Sequence, residues 1–190
     1  DAKVIAKQSY VASATPQTTS GGTLTYRNTD LSASLYGVGE QYFDVLGLKL
    51  ESGRLFDESD VKEDAQVVVI DQNTKEKLFG ADVNPLGKTV LFNKRPLTVI
   101  GVMQKEENSF GNSDVLMLWS PYTTVMHQIT GESHTNSITV KIKDDANTQV
   151  AEKGLTELLK TRHGTEDFFM NNSDSIKQMV ESTTGTMKLL

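Results

Sequence analysis

The residues that first indicate chemistry are Gly87-Lys88-Thr89, the ending of a loop that binds nucleotide phosphates. Such a loop needs Gly-x-x-x-x-Gly-Lys-Ser/Thr, with a strand before it and a helix after it, so that backbone N–H groups face the phosphates. The position that requires the first glycine is Asp82, whose carboxylate would repel a phosphate. The flanks are also reversed, because residues 73–80 predict a short helix and residues 88–93 a strand. We therefore predict a structural turn, made by Asn84-Pro85 and closed by Gly87.

The three histidines do not indicate a metal-binding or catalytic site either. His127, His134 and His163 lack the spacing of a zinc-binding pair on a helix, so we expect them at the surface or at helix ends. The stretch Gly-Glu-Ser-His-Thr is similar to the nucleophile elbow of hydrolases, but Thr135 stands where that motif needs glycine. Neither catalysis by a serine nor metal binding is predicted.

Acidic and aromatic clusters also have structural explanations. The carboxylates between Asp57 and Asp64 lack the alternating pattern and central glycine of a calcium loop, and we expect a solvated linker. Asp144-Asp145 predicts a turn before a helix. The pairs Tyr42-Phe43 and Phe168-Phe169 could stack on bases, but their spacing favours core positions. The sequence thus predicts no catalytic, cofactor-binding or metal-binding residue.

Composition excludes further functions. The chain has 190 residues, 25 acidic and 19 basic, with a net charge of −6 and no basic cluster, so nucleic-acid binding is not expected. The absence of cysteine excludes disulfides, thiol catalysis and zinc–thiolate sites. No apolar run reaches the length of a membrane-spanning helix, and the first residues of the sequence do not have the pattern of a secretory leader, so we expect no signal peptide here. We expect a soluble piece, either a mature product or a segment cut from a longer protein.

Strand patterns dominate the first part of the chain. Residues 4–13 and 22–28 are rich in β-branched and aromatic residues, and the Thr/Ser/Gly-rich stretch between them predicts a loop. Residues 32–38 predict a third strand. Apolar residues at helical spacing predict a helix over residues 40–50, and Gly53 ends this unit.

A β-rich block follows the charged connector at residues 57–66. Residues 65–71 predict a buried strand, and the short helix after it has Asn73 as its predicted cap and ends at Gly80. The next predicted strands, 88–93 and 95–103, are joined by a tight turn at Arg95-Pro96. Residues 104–114 predict a loop, and residues 115–120 predict the strand that closes the block.

The last part alternates strands and helices. Ser120-Pro121 predicts the start of a helix through about Ile129. A strand is predicted at 137–143 and a helix after it, capped by Asn147 or Thr148 and stopped at Gly164. Residues 166–172 predict another strand. From Ser173 the spacing predicts a helix that ends on an apolar trio, as if the helix had been cut.

An ordered series of residues resembles a known family. Residues 37–103 closely resemble the periplasmic core domain of MacB-type ABC transporters, within the FtsX-like permease group, and the rest agrees loosely. The matching residues are Tyr42, Phe43, Leu48, Gly53, Arg54, Phe56, Asp60, residues 67–70, residues 78–80 including Phe79 and Gly80, Asn84, Pro85, Gly87, Lys88, Val99, Ile100, Gly101 and Val102.

The resemblance implies an α+β fold with two subdomains. A porter-like split α/β layer would comprise residues 1–56 and 119–174, and a β-rich subdomain with a short helix, residues 57–118, would be inserted into it. Residues 175–190 would begin a membrane-proximal helix. The matching residues would be structural, and the resemblance names no partner-binding residue.

The resemblance also implies a function on the periplasmic side of the inner membrane of a Gram-negative bacterium. The domain would be a non-catalytic part of an efflux pump for macrolides, peptides or toxins. It would engage a MacA-like periplasmic adaptor, a TolC-like outer-membrane channel and a second transporter copy. The fragment would carry no cofactor, since ATP and Mg²⁺ belong to a cytoplasmic domain of the parent protein, and flanking helices would supply the membrane contact.

Two alternatives stay open. The chain could be the periplasmic domain of a related FtsX-like or LolC-like permease, which releases lipoproteins or regulates a cell-wall hydrolase. It could also be a carboxylate-based hydrolase, although no motif supplies the geometry of such a site.

Overall fold

The computed structural model describes residues 1–105 and 115–172, and it divides into two compact units. Of the described residues, Ala2 and 12–141 form the larger unit, and Asp1, 3–11 and 142–172 form the smaller unit. The larger unit is built on a sheet, and the smaller unit on a long helix.

Strands provide most of the larger unit, and short helices connect them. In chain order the strands are β1 (Val11–Tyr26), β2 (Thr29–Val38), β3 (Leu50–Gly53), β4 (Val67–Ile70), β5 (Thr89–Phe92), β6 (Arg95–Met103), β7 (Leu116–Pro121) and β8 (Ser137–Ile142). The helices are α1 (Ala2–Ile5), α2 (Tyr42–Leu46), α3 (Glu58–Lys62), α4 (Gln72–Leu78), α5 (Tyr122–Thr124), a π-helix (Val125–Thr130) and α6 (Thr148–His163). The predicted α+β class is confirmed.

The sheet closes on itself. Its 8 strands follow the order β2-β7-β4-β6-β5-β1-β8, with β3 paired to β6, and an additional pairing joins β1 to β2. The strands from β2 to β1 therefore form a ring, which leaves fewer free edges than an open sheet. Each ring strand contributes to one buried cluster, which places the main core between them. Its members are Leu24, Ala33, Leu35, Val68, Ile70, Leu78, Val90, Phe92, Leu97, Val99, Val102, Leu116, Leu118 and Val125.

β1 is one strand of 16 residues where the sequence predicted two strands separated by a loop. The Thr/Ser/Gly-rich stretch is composed like a loop, but it pairs antiparallel with β2 from Gln17–Val38 to Tyr26–Thr29. That ladder provides hydrogen-bond partners for the backbone N–H and C=O groups. Threonine is β-branched and is therefore favoured in a strand that has a partner. The strand predicted at 32–38 is confirmed as part of β2, whereas the one predicted from residue 4 begins as α1.

The helix predicted over residues 40–50 ends early. α2 stops at Leu46 because Gly47 takes a φ of 68°, a left-handed conformation that glycine adopts without strain. The chain then enters β3. The prediction of a helix here is right in place but too long.

The segment 57–66 is not merely a connector, because it contains α3. The Asp57 carboxylate accepts hydrogen bonds from the Ser59 and Asp60 N–H groups, and the Asp60 carboxylate accepts one from the Asp57 N–H. This is a capping box with aspartate at the third helical position instead of the usual glutamate or glutamine. Because Asp60 is not the glutamate or glutamine expected at this position, the sequence did not reveal the motif.

The strand predicted at 65–71 and the short helix after it are present as β4 and α4. The N-cap of α4 is Asp71, and not Asn73 as predicted. The Asp71 carboxylate accepts a hydrogen bond from the Thr74 N–H at 2.8 Å. Asp71 precedes three consecutive helical residues in the pattern of an N-cap, and Asn73 lies within the first turn.

The turn between β5 and β6 is made by Asn93 and Lys94, and the prediction of a turn at Arg95-Pro96 is wrong. Asn93 and Lys94 have φ angles of 47° and 68°. Two central residues with positive φ form the tight hairpin whose twist matches that of the flanking strands. Arg95 pairs with Phe92, and Pro96 pairs with Leu91.

The strand predicted at 115–120 is confirmed as β7, but Ser120 and Pro121 are its last residues and not the start of a helix. Ser120 Oγ donates a hydrogen bond to the Val67 carbonyl at 2.7 Å, so it is not available as a cap. The helix begins at Tyr122 and continues as a π-helix to Thr130. Most of the loop predicted at 104–114 lies outside the described residues.

In the smaller unit, α6 begins and ends as predicted. Asn147 caps its start, and Gly164, with a φ of 75°, ends it. Ala151 and Leu155 are buried, whereas Val150 is exposed. The strand predicted at 166–172 is absent, since aromatic residues favour a strand only where a partner strand pairs with it. The helix predicted from residue 173, including 175–190, lies outside the described residues.

The predicted subdomain limits near residues 57 and 118 do not coincide with the limits of the compact units. β1 and β2, assigned to the porter-like layer, pair with β5 and β7, assigned to the insertion. These long-range pairings join both predicted parts in one sheet. As functional subdomains, 1–56 with 119–174 and 57–118 stay a prediction.

Candidate functional site

The Gly-Lys-Thr segment forms a turn and offers no nucleotide site. Asn84 Oδ1 accepts a hydrogen bond from the Leu86 N–H at 3.1 Å, and the Lys88 N–H donates to the Pro85 carbonyl at 3.1 Å. Gly87 has a φ of 79°, and its N–H donates to the Val99 carbonyl at 2.8 Å. The Gly87 N–H group, which would have to face a bound phosphate, therefore already donates its hydrogen bond to β6. The predicted turn is present.

Phe79 and Gly80 end α4 just before this turn. Gly80 has a φ of 97°, which suits glycine directly after a helix. The Phe79 ring lies 4.5 Å from the Tyr26 ring, centroid to centroid, and packs against the main core. Phe79, Gly80, Asn84, Pro85, Gly87 and Lys88 thus all lie in the segment that joins α4 to β5.

A second group of the matching residues lies where β3 meets β6. Gly53 pairs with Gly101, and a Cβ atom on Gly53 would lie 2.2 Å from the Ile100 carbonyl oxygen. A Cβ on Gly101 would lie 2.4 Å from the Arg54 carbonyl oxygen. Both distances are shorter than any real carbon–oxygen contact, so each glycine is required by the close approach of the two backbones. Val102, next in β6, is fully buried.

A contact between Arg54 and Asp60 joins the end of β3 to α3. Arg54 Nη1 donates to Asp60 Oδ2 at 2.7 Å, and Arg54 Nη2 donates to Asp60 Oδ1 at 3.3 Å. The same Oδ2 accepts from the Asp57 N–H at 3.0 Å. The hydrogen bond from Arg54 is the main cause that lowers the pKa of Asp60 and raises that of Arg54. One carboxylate thus holds β3 and the N-terminus of α3 together.

The aromatic members of the matching set pack in a second buried cluster. Phe43 lies edge-on to Phe56 at 5.4 Å and to Trp119 at 6.2 Å, and Tyr42 lies edge-on to Phe43 at 5.8 Å. Edge-to-face contacts at these distances stabilise a core. Tyr42 and Phe43 are therefore core residues as predicted, whereas Phe169 is 88% exposed, so the prediction that it is a core residue is wrong.

The histidines occupy the surface and a helix end, as predicted, but two of them have carboxylate partners that spacing alone does not reveal. His127 Nδ1 lies 2.8 Å from Asp64 Oδ2. His163, at the end of α6, lies 2.8 Å from Asp1 Oδ2 and also contacts Asp167, whose pKa its hydrogen bond lowers. Asp167 is four residues after His163, but α6 ends at His163, so the helical i, i+4 rule does not predict this contact.

The described part of the chain was compared with the requirements of a metal site and of a membrane-spanning helix. Among residues 1–105 and 115–172, no group of three or more histidines and carboxylates could hold a metal ion. Across the same residues, no helix has the length and hydropathy needed to cross a membrane. The matching residues discussed above lie in three places, namely the β3–β6 pairing, the segment before β5 and the aromatic cluster around Phe43. Their structural role stays a prediction, and no partner-binding residue is identified.

Comparison with known proteins agrees with this pattern. The model of the family described as MacB-like periplasmic core domain matches residues 1–158. Over 190 residues the chain is 88% identical to the macrolide export ATP-binding/permease protein MacB of Neisseria meningitidis serogroup A, and equally to that of Neisseria gonorrhoeae. All of this chain is covered, but it spans only 29% of the length of those relatives.

Solved structures have the same fold. The periplasmic region of MacB from Actinobacillus actinomycetemcomitans is 55% identical, with a TM-score of 0.84, over 95% of this chain and 80% of that one. The extracellular domain of the noncanonical ABC-type transporter YknZ from Gram-positive bacteria gives a TM-score of 0.77 over 89% of this chain and 86% of that one. At 24% identity, this second likeness concerns the fold alone.

Proposed function

The chain belongs to the family of MacB-like periplasmic core domains, and we propose on that premise that it is the non-catalytic periplasmic part of a MacB-type efflux ABC transporter. The observation that carries the proposal is the 88% identity with MacB proteins over all 190 residues. The resemblance noted at residues 37–103 is thereby confirmed. In this role the domain holds no cofactor, and ATP and Mg²⁺ act in a cytoplasmic domain of the parent protein.

The proposed parent couples ATP hydrolysis to export. Its periplasmic domain engages a MacA-like adaptor, and a TolC-like channel completes the path through the outer membrane. Two transporter copies act together in the inner membrane of a Gram-negative bacterium, each anchored by helices that flank this segment. The proposed cargo is a macrolide, a peptide or a toxin.

A domain that transmits motion has to be stiff, and features of the larger unit support this part of the proposal. Its ring of strands pairs residues far apart in sequence, and the main core is buried among them. The pairing of β3 with β6 leaves no room for a Cβ atom at Gly53 or Gly101. Close-packed protein interiors have low compressibility and transmit strain. The net charge of −6 would also steer a cationic partner toward the domain.

The experiment compares forms of the full-length parent in a strain that lacks other macrolide exporters. One form is intact, one has residues 1–190 replaced by a short flexible linker, and one has an inactivated ATPase. Membrane insertion and ATPase activity are measured for each beside macrolide tolerance. We expect the linker form to insert and hydrolyse ATP but to give no protection.

Adaptor binding is measured in the same strains by cross-linking from the periplasm. Capture of the adaptor by the intact form and not by the linker form supports the proposal. Protection by the linker form would refute the coupling role. Capture of a lipoprotein carrier instead of the adaptor would favour the alternative of a LolC-like permease.

A further inference from the structure

Polar side chains between Thr123 and Gln128 bind the backbone where α3 leads into β4. Thr123 Oγ1 donates to the Val61 carbonyl at 2.6 Å, and Thr124 Oγ1 donates to the Ala65 carbonyl at 2.8 Å. We name Thr123, Thr124, His127 and Gln128 the latch. Its members come in pairs four residues apart, which places them on one side of the helical segment.

Asp64 receives the second half of the latch. Gln128 Nε2 donates to the Asp64 carbonyl at 2.9 Å, and His127 Nδ1 contacts the Asp64 carboxylate at 2.8 Å. Gln66 Nε2 also donates to Gln128 Oε1 at 2.6 Å. Asp64 has a φ of 51°, a left-handed conformation that few residues other than glycine adopt. The backbone is thus turned so that both oxygen-bearing groups of Asp64 face the latch.

The helix that carries the latch has an unusual register. Residues Val125–Thr130 form a π-helix, in which each turn contains more residues than in an α-helix. Thr130 Oγ1 also donates to the Val125 carbonyl at 3.4 Å, five residues back. Return to α-helical register would rotate the following side chains by about 100° for each residue shifted. His127 and Gln128 would then leave Asp64, so the latch and the π-helix depend on each other.

The loop after the π-helix is held at both ends. Gly131, with a φ of 71°, ends the helix. At the other end Asn136 is fixed to β1, because its N–H donates to the Gln17 carbonyl at 3.0 Å and its side chain accepts from Thr18 Oγ1. A change of register in the π-helix therefore has to be absorbed by residues 131–136. His134, near the middle of this loop, is exposed.

We propose that residues 122–136 are a two-state element, in which the latch selects the π-helical register and thereby sets the conformation of loop 131–136. Release of the latch lets the segment return to α-helical register, and the exposed loop rearranges while the sheet stays intact. π-Helical turns are rare and occur frequently at functional sites. The inference concerns the larger unit alone and does not depend on the proposed transporter role.

The test uses the 190-residue chain, because the corresponding periplasmic region of the Actinobacillus relative was crystallised by itself. The variants are Thr123→Val and the double variant His127→Ala/Gln128→Ala. Thr156→Val is the matched control, because Thr156 Oγ1 also donates to a backbone carbonyl, that of Glu152 at 2.8 Å, but within α6. Hydrogen exchange read by mass spectrometry follows the amides of residues 125–136, of β4 and of α6.

We expect exchange in residues 125–136 to rise about tenfold in both latch variants, with β4 and α6 unchanged, since a local opening does not require global unfolding. Equal exchange in latch variants and wild type would overturn the proposal. So would a uniform rise in every segment, because that would mean general destabilisation. A nitroxide label on His134→Cys, in a chain without cysteine, gives a second readout. A single unchanged mobility component in the latch variants would likewise overturn it.

Discussion

Asp60→Ala should destabilise the larger unit by about 1–2 kcal/mol at neutral pH. Asp60 has two separate partners, the Asp57 N–H at 3.0 Å and the Arg54 guanidinium at 2.7 Å. Loss of a capping interaction typically costs about 1 kcal/mol. The Arg54 side chain is 53% exposed, so solvent screening limits the ion pair to about 1 kcal/mol or less.

Asp60→Asn separates the two contributions. The asparagine carbonyl oxygen can still accept from the Asp57 N–H, but the charge that attracts Arg54 is lost. We therefore expect this variant to lose only the smaller part, about 0.5–1 kcal/mol. Lys62→Ala is the control, because its ion pair with Glu58 is 70% and 68% exposed and should contribute almost nothing measurable.

Trp119 is the natural probe for these measurements. It is the sole tryptophan of the chain, it is 5% exposed, and it belongs to the same buried cluster as Phe56 and Val61. Its fluorescence during urea unfolding therefore reports on the unit that contains Asp60. An unchanged urea dependence of the free energy of unfolding would show that each variant alters stability and not the extent of unfolding.

The pH dependence follows from the sign of the pKa shift. The pKa of Asp60 is lowered in the folded protein, chiefly by the hydrogen bond from Arg54, so its contribution is complete above the unfolded value of about 3.9. That contribution disappears as the pH falls through the lower folded pKa. The stability difference between wild type and Asp60→Asn should therefore be constant from pH 7 to about pH 5 and shrink below that toward about pH 2. A difference independent of pH, or an Asp60→Ala effect no larger than that of Lys62→Ala, would refute the reasoning.

Three further predictions use the same unfolding assay. Gly101→Ala should destabilise by about 3 kcal/mol or more, or prevent folding, because its Cβ would lie 2.4 Å from the Arg54 carbonyl oxygen; native-like stability would contradict this close approach. Asp71→Asn should be neutral or stabilising at pH 7. Desolvation raises the pKa of Asp71, so its ionised form weakens the fold above that pKa, and asparagine can still cap α4. A loss of about 1 kcal/mol or more in the free energy of unfolding would contradict this prediction. Phe92→Ala should cost about 3–5 kcal/mol, whereas its exposed neighbour Leu91→Ala should cost about 1 kcal/mol or less, and equal effects would contradict the assignment of the core.

The local elements were largely determined by the sequence. Continuous valine and isoleucine runs predicted β4 and β6, and Asn147 and Gly164 marked the limits of α6. The failed spacing before Gly87 excluded a nucleotide site, and the ordered set of glycines, aromatic residues and turn residues pointed to the family. Such features depend on residues that are close together in the sequence, so the sequence alone is sufficient to predict them.

Only the tertiary structure decided how these elements combine. The continuity of β1 depends on its ladder with β2, which overrides a loop-like composition. The contact of Asp64 with His127 joins residues 63 positions apart, and the π-helical register exists together with that contact. Gly53 and Gly101 are required because the paired backbones of β3 and β6 approach closely, which neither residue reveals in the sequence. These features arise from pairings between distant segments, whose energies depend on packing in the closed sheet and not on the propensities of adjacent residues.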